Sequence, residues 1–463
     1  MNLEFVRPLI RFIPEVSLPG RHVPFKEKLM WSSIVLILFF IMGTIYPAGV
    51  TREKIEGFEQ MQIIFASKLG TIISVGIGPI VTASIILQLL VGSKMIDIDL
   101  TTNDGRALFQ GAQKILTIVI AFFEAAALVI GMRLVEDPAQ TTFVIFQIAL
   151  GSILLMYMDE IVSKWGIGSG IGLFIAGGVS QRVVYMSLSF IQTEPGKFAG
   201  IIPNLINLVM NQSLQFFDLF ALVFPIVATI IIFMVVVYGE AMRLEIPLSY
   251  GGIRGVGGRY PIKFFYVSNI PVILASALLM NVQMWTNLAG ITPGMNTEEM
   301  NIIQKVIYYV SYYVTMGDLR GILTPDPTYY GRLFDPGVLL HLLIYILVFI
   351  ALCVVFGKFW IETTGMSPEQ IAEQIERSGM QIPGFRRDRR VIERVLNRYI
   401  PQITIISSIA VGMLAVMADL LGALGSGTGI LLTVGILYRL YEEIQREQMA
   451  EMHPAFRRFV SRV

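Results

Sequence analysis

Long apolar segments alternate along the chain with shorter polar connections. A helix needs about 20 apolar residues to cross a bilayer, and ten segments reach or approach that length. We therefore predict an all-α, polytopic membrane protein with ten transmembrane helices. The predicted spans are residues 31–46, 69–91, 115–132, 143–158, 167–190, 216–238, 264–285, 338–360, 399–424 and 429–441.

The composition favours the same location. Of 463 residues, 54% are hydrophobic and 15% are charged, whereas a soluble domain has about 25% charged residues. The one cysteine, Cys353, excludes an intramolecular disulfide framework. Three widely spaced histidines indicate no histidine-based metal site, and we expect no cofactor. The basic N-terminal residues precede no short apolar segment with a cleavage site, so no removable signal peptide is expected.

The basic residues predict the topology. Most of the 35 lysines and arginines fall in the N-terminal segment, the even-numbered connections and the C-terminal tail. Cytoplasmic loops carry the excess of such residues. Both termini are therefore predicted to face the cytoplasm.

A short phrase occurs once in each half of the chain. When Pro79 is aligned with Pro271, the alanine, serine and leucine that follow also coincide. Broken helices at corresponding positions are typical of pathways built from two related halves. We interpret residues 1–213 and 214–463 as these halves. The alternative is chance, because apolar segments use a small set of residue types.

Two predicted cytoplasmic connections, 239–263 and 361–398, are long and basic. The first is rich in glycine, which favours a tight ribbon or a turn, and the second contains Ser367 before Pro368, a plausible helix start. Clustered cations bind phosphates of RNA or lipid, or they simply keep a loop in the cytoplasm. The candidate contacts are Arg254, Arg259, Lys263, Arg386, Arg387, Arg389 and Arg390.

Other features leave alternatives open. The glycines at 168–178 and 422–429 fit either close helix packing or a deformable pore helix. Glu124 lies inside the third span, where a carboxylate is a functional candidate or a packing partner of Thr82 or Asn281. Asp419 and His341 lie nearer the ends of their spans and are expected to reach water. The sequence contains no recognisable catalytic set, so an enzyme is not expected.

Several long phrases resemble the SecY family of protein-conducting channels. Residues 71–88 are similar to its second-helix signature, and residues 157–175 are similar to the signature at the join of helices 4 and 5. Residues 362–366, 384–386 and 422–429 extend the resemblance. Gly-Ile-Gly-Pro at 76–79 and the loop beginning at Arg243 are closest to archaeal members.

The resemblance implies two pseudo-symmetric halves around a central hourglass pore. Aliphatic side chains from both halves would form a narrow ring at mid-membrane. The implied ring is Ile77, Val81, Ile171, Ile175, Ile273 and Leu432. A plug at about residues 50–68 would fill the external funnel, with Phe58, Met61, Ile63, Ile64 and Phe65 as its apolar contacts.

The resemblance also implies a lateral gate with Thr82, Glu124 and Asn281 at its polar seam. Unfolded secretory chains would cross through the ring, and their apolar segments would leave through the gate into the membrane lipid. The basic loops would dock the ribosome through its RNA, and a SecE-like gamma subunit and a SecG- or beta-like subunit would be partners in the cell membrane. The alternative is a secondary transporter for a small solute, which would need a polar midplane site.

Overall fold

Long helices form a bundle, and short strands occupy two of the connections. The computed structural model describes residues 7–21, 23–50, 70–92, 95–96, 98, 102–131, 134–135, 137–194, 197–211, 216–250, 257–288, 301–324, 332–377, 380–381 and 389–452. Up to residue 211 the elements are α1 (Arg7–Ile10), α2 (Phe25–Met42), α3 (Gly78–Gly92), α4 (Asn103–Gly131), α5 (Pro138–Trp165), α6 (Gly170–Leu188), β1 (Gln192–Glu194), β2 (Lys197–Phe198) and α7 (Ile201–Met210).

The later elements are again mainly helices. They are α8 (Phe216–Ala241), β3 (Arg243–Tyr250), β4 (Gly257–Lys263), α9 (Ile270–Leu288), α10 (Ile302–Val314), α11 (Pro336–Thr363), α12 (Pro368–Arg377), β5 (Met380–Gln381), α13 (Arg389–Leu420) and α14 (Gly427–Met452). Each of the ten predicted spans overlaps one of these helices, although the bounds differ by several residues, as at 69–91, where the helix begins at Gly78. The tenth is far longer than its apolar segment, because α14 continues into charged residues.

The chain is a polytopic helical membrane protein. Among the described residues, six helical stretches are long and apolar enough to cross a bilayer by length and composition alone. They are Asp104–Gly131, Pro138–Trp165, Gly170–Leu188, Leu219–Ala241, Pro336–Arg377 and Arg389–Leu420. Large apolar side chains such as Phe123, Met234 and Leu347 are exposed on the outside of the bundle, as a lipid-facing surface requires.

Local sequence explains where two of these helices begin. Asp137 and Asp335 each precede a proline at the first helical position, and each carboxylate accepts a hydrogen bond from the N–H two residues later, at 3.0 Å. Proline suits this position because its missing N–H would have no partner there. An aspartate at the N-cap also satisfies one otherwise unpaired donor.

The helices contact one another across the two predicted halves. Helix α6 packs along α14, and α9 contacts both α3 and α4, while α11 contacts α3. One continuous apolar core runs through these contacts and includes Ile77, Phe174, Val272 and Leu432. The cross-contacts place α3, α6, α9 and α14 around the centre of the bundle.

The predicted ribbon in the first basic loop is confirmed for the described residues. Strands β3 and β4 form an antiparallel hairpin in which Arg243 faces Lys263, and β5 pairs with the far end of β3. Ile246 and Ile262 pack the hairpin on a second apolar cluster with α12 and the start of α13. The predicted start of α12 is also confirmed, since Ser367 accepts the N–H of Gln370.

Candidate functional site

The aliphatic residues of the predicted ring lie on α6, α9, α14 and at the start of α3. Ile77, Ile175 and Leu432 are fully buried, and Val81 is nearly so. Ile171 and Ile273 are half-buried against the same core. Val81, Ile171, Ile175 and Ile273 line one cavity of about 370 Å³. Four of the six predicted ring residues therefore share one cavity, whereas Ile77 and Leu432 are buried in the adjoining core and are not among its lining residues.

The lining of this cavity changes along its length. Ile80, Ile270 and Leu274 extend the aliphatic wall, whereas Gln88, Arg439 and Glu443 provide polar groups. Gln88 lies seven residues beyond Val81 on α3, which is about 10 Å along a helix axis. The cavity is thus polar at one end and aliphatic at the other.

The aliphatic end can exclude ions without a charged barrier. Its side chains cannot replace the water that a hydrated ion would lose, so the ion's desolvation is uncompensated. Hydrophobic constrictions in channels close by losing their water. An extended polypeptide meets a different surface, because flexible aliphatic groups can move aside without breaking a specific bond.

Thr82, Glu124 and Asn281 meet between three helices. The Thr82 hydroxyl donates to Oε1 of Glu124 at 2.8 Å and accepts a hydrogen bond from Nδ2 of Asn281 at 3.1 Å. Glu124 and Asn281 are buried. The Thr82 hydroxyl therefore links α3 to both α4 and α9. Helices α3 and α4 belong to the predicted N-terminal half and α9 to the predicted C-terminal half, so the link crosses between the halves.

A further buried amide, which the sequence analysis did not select, holds the ring helix α14. Asn269 Nδ2 donates to the carbonyl of Leu431 at 3.1 Å, next to the ring residue Leu432. Asn269 is the residue two positions before Pro271 in the repeated phrase. Its place there was the one signal that could have identified it.

The expectation that Asp419 and His341 reach water is wrong. Both are buried. His341 Nε2 lies 2.9 Å from the carbonyl of Thr315, and Asp419 accepts the N–H of Gly427 at 2.7 Å. The polar partners come from Thr315, directly after α10, and from Gly427, the first residue of α14.

The cations of the basic loops differ in their surroundings. Arg259 pairs with Glu245 and is well exposed to solvent, whereas Arg389 pairs with Glu369 and is only partly exposed. Lys263 is more enclosed and binds Glu442 on α14, which also binds Arg243. Arg390 is exposed at the start of α13. Arg254, Arg386 and Arg387 lie outside the described residues, as do Phe58, Met61, Ile63, Ile64 and Phe65 of the predicted plug.

Residues 7–21, which we call the strap, bind across the ends of α4 and α5. Lys164 donates to Glu15 at 3.0 Å and to the carbonyl of Val16 at 2.6 Å, and Trp165 Nε1 donates to the carbonyl of Ser17 at 2.9 Å. The neighbouring Lys164, together with Lys114, holds the pKa of the Glu15 carboxyl below its usual range. No local sequence pattern indicated this contact.

Comparisons with known proteins agree with this geometry. The SecY family model matches residues 71–441. The protein translocase subunit SecY of Methanocaldococcus jannaschii is 47% identical over 98% of this chain and 99% of its own length. A solved structure described as a protein conducting channel has a TM-score of 0.80 at 45% identity, covering 97% of this chain and 99% of its own.

A second solved structure was determined in a larger assembly. Sec61 in the canine ribosome-channel complex from the endoplasmic reticulum has a TM-score of 0.78 and 45% identity, and the match covers 97% of this chain and 99% of that chain. The similarity thus extends over nearly the whole length, including the helices that line the cavity. The chain belongs to the SecY family.

Proposed function

We propose that the chain is the pore-forming subunit of a protein translocase, which conducts unfolded polypeptides across the membrane and releases apolar segments sideways into lipid. The cavity lined by Val81, Ile171, Ile175 and Ile273 carries this proposal. A site for a small polar solute would present polar groups at that point. The relative from Methanocaldococcus jannaschii is named a translocase subunit.

The seam formed by Thr82, Glu124 and Asn281 supports the lateral release. Hydrogen bonds within membranes average about 0.6 kcal/mol, so two such bonds hold the seam only weakly. A leucine or isoleucine gains about 0.3–0.6 kcal/mol on entering a bilayer. Several such residues in a passing segment therefore outweigh the seam, and this competition sorts membrane segments from secreted ones.

The exposed cations of the basic loops support docking of the ribosome. Arg259 and Arg390 are exposed to solvent and Arg389 is partly exposed. Ribosomal RNA phosphates can compete there with Glu245 and Glu369, the carboxylate partners of Arg259 and Arg389. Both termini and these loops then face the cytoplasm, in agreement with the distribution of basic residues.

SecE-like and SecG- or beta-like small subunits, together with a plug at residues 50–68, complete the proposed assembly.

Crosslinking of a stalled secretory chain tests the proposed pore. Single cysteines replace Ile77, Ile175 or Leu432 in a Cys353→Ala background, and the stalled chain carries one cysteine at the depth of the membrane. We expect a disulfide with each ring position. Matched cysteines at Leu343 and Leu347, which are exposed on α11, should give none. Crosslinks at the α11 positions alone, or at no position, would contradict conduction through the ring and favour a solute transporter.

A further inference from the structure

The same five-residue pattern, Gly-Ser-Gly-x-Gly, opens two of the helices that carry ring residues. It occupies residues 168–172 at the start of α6 and residues 425–429 at the start of α14. In each helix the ring residue follows the first helical glycine by five positions, as Ile175 follows Gly170 and Leu432 follows Gly427. The two helix starts are therefore equivalent in sequence and in their distance from the ring.

The two starts share the conformation of the leading glycine and a serine cap, although the serine backbone differs, with φ −105° at Ser169 and φ +129° at Ser426. Gly168 and Gly425 have φ angles of +75° and +82°, in a region where glycine avoids the strain of other residues. The serine that follows each glycine then caps the helix. Ser169 accepts the N–H of Gly172 at 3.5 Å, and Ser426 accepts the N–H of Gly429 at 2.9 Å.

An aspartate from the preceding helix binds each start. Asp159 on α5 accepts the N–H of Ile171 at 2.9 Å. Asp419 on α13 accepts the N–H of Gly427 at 2.7 Å with Oδ1 and the hydroxyl of Thr428 with Oδ2. Free N–H groups and the helix dipole both favour a carboxylate at this end.

The first glycine of each helix lies directly against the backbone beside that aspartate. A Cβ atom on Gly170 would lie 2.5 Å from Cα of Asp159, and one on Gly427 would lie 2.2 Å from the backbone N of Asp419. Any side chain there would push the helix away. Each ring helix is thus seated on the helix before it by a close backbone contact and a carboxylate, which together we call a clamp.

The two clamps lie at opposite ends of an antiparallel helix pair. Gly172, at the start of α6, approaches Ile436 far along α14, while Gly425, before α14, approaches Val183 near the end of α6. Each helix is therefore fixed at its own N-terminal end. The ring residues lie about 7.5 Å along the axis from these fixed points, so a shift of either start moves its ring residue directly.

We infer that Asp159 and Asp419 are paired positioning residues that set the depth of α6 and α14 and so align Ile175 with Leu432 in the ring. This inference rests on the proposed function of the ring. It gives the internal repeat a mechanical role, since each half supplies one clamp and one clamped helix. Neither aspartate needs to contact the passing polypeptide.

Ion leakage through the full chain reconstituted in liposomes tests the inference. Asp159→Ala and Asp419→Ala should each raise the leak roughly tenfold, as expected when a hydrogen bond to a charged acceptor is lost. Asp159→Asn keeps an acceptor oxygen for the N–H of Ile171 and should leak as the unmodified chain does. Asp419→Asn keeps an acceptor for the N–H of Gly427 but loses the second oxygen that accepts the Thr428 hydroxyl, so it should leak less than Asp419→Ala. Asp159→Glu and Asp419→Glu keep the charge but displace the helix by one methylene, and we expect both to leak.

Matched controls separate positioning from general stability. Asp137 and Asp335 cap α5 and α11, which carry no proposed ring residue, so Asp137→Ala and Asp335→Ala should lower the melting temperature without leakage. A double Ile175→Gly, Leu432→Gly variant should leak. If this variant stays tight, the proposed ring fails and the clamps fail with it. If it leaks while the alanine and glutamate variants stay tight, or if the Asp137 and Asp335 controls leak equally, the clamps alone are refuted.

Discussion

At the scale of single residues, a glycine and an asparagine determine how closely α9 approaches α14. The Asn269 amide occupies the place where a Cβ atom on Gly435 would lie, at 1.7 Å from Nδ2. The same amide bonds to the carbonyl of Leu431, one turn earlier on α14. The contact therefore depends on the absence of a side chain at residue 435, and the hydrogen bond fixes the rotation of α14 beside Leu432.

Gly435→Ala should destabilise the fold because the new methyl group must displace the buried Asn269 amide. We expect a loss of about 1–3 kcal/mol, as for other overpacked cores, and a lower melting temperature. Cys353 is fully buried, so its reaction with a thiol-reactive dye during heating reports unfolding.

The control for this prediction is Gly178→Ala on α6. A Cβ atom at Gly178 meets no heavy atom within 4 Å, and alanine is better than glycine inside a helix by about 0.5–1 kcal/mol. This variant should melt at or above the temperature of the unmodified chain. Equal melting of both variants would show that Asn269 does not restrict residue 435.

At the scale of elements, the β3–β4 hairpin divides its cations between two tasks. Arg243 and Lys263 are opposite each other on the two strands and both bind Glu442 of α14. Arg259 lies nearer the start of β4 and forms an ion pair with Glu245 in which both side chains are exposed to solvent. The two cations that share Glu442 thus hold the hairpin on α14, whereas Arg259 remains accessible to an anionic partner.

Ribosome binding at several salt concentrations should distinguish these tasks. Arg259→Gln should weaken binding and reduce the slope of log affinity against log salt by about 1, the value for one lost phosphate contact. Glu245→Gln removes the competing carboxylate and should strengthen binding. Lys263→Gln should lower the melting temperature and leave the slope unchanged. If Lys263→Gln reduces the slope and Arg259→Gln leaves it unchanged, Lys263 contacts the ribosome and Arg259 does not.

The strap should respond to acid through Glu15. Because nearby lysines lower the pKa of this carboxyl in the folded protein, its contribution to strap binding is complete above the ordinary glutamate pKa and is lost as the pH falls through the lowered value. The effect is modest, since Glu15 is largely exposed. A spin label attached at Leu18→Cys, in a Cys353→Ala background, should become more mobile as the pH falls below the ordinary glutamate pKa.

Glu15→Gln provides the control for the strap. The amide cannot titrate, so the mobility of the label should be independent of pH and higher than in the unmodified strap at neutral pH. A pH response that persists in this variant would assign the transition to another group.

At the scale of the whole molecule, local patterns predicted the elements but few of their long-range polar contacts, with the contact of Glu124, Thr82 and Asn281 as the exception. Runs of apolar residues indicated the helices that overlap all ten predicted spans, and the glycines of the first basic loop indicated a ribbon or turn where β3 and β4 form. The bond between Lys263 and Glu442 joins residues 179 positions apart, and no periodicity records such a pair. For the same reason Lys263 was grouped with the exposed cations, and Asp419 was expected to reach water.

At the seam between α3, α4 and α9, the hydroxyl of one residue, Thr82, holds three helices of the molecule together. Thr82→Val keeps the shape of the side chain but removes both hydrogen bonds, to Glu124 and from Asn281. At about 0.6 kcal/mol for each bond, the closed seam loses about 1.2 kcal/mol. With about 0.3–0.6 kcal/mol per leucine, a test segment should enter the bilayer with about two to four fewer leucines.

A graded series of leucine and alanine segments, inserted by membranes that contain only the variant chain, measures this threshold. Thr82→Ser keeps the hydroxyl and should leave the threshold where it is in the unmodified chain. An unchanged threshold in Thr82→Val would mean that the triad does not limit opening, and the apolar contacts of α3 with α9 and α11 would then hold the seam. A lower threshold in Thr82→Val with a normal one in Thr82→Ser would assign the barrier to the hydroxyl itself, because the two variants differ at residue 82 in whether that group is present.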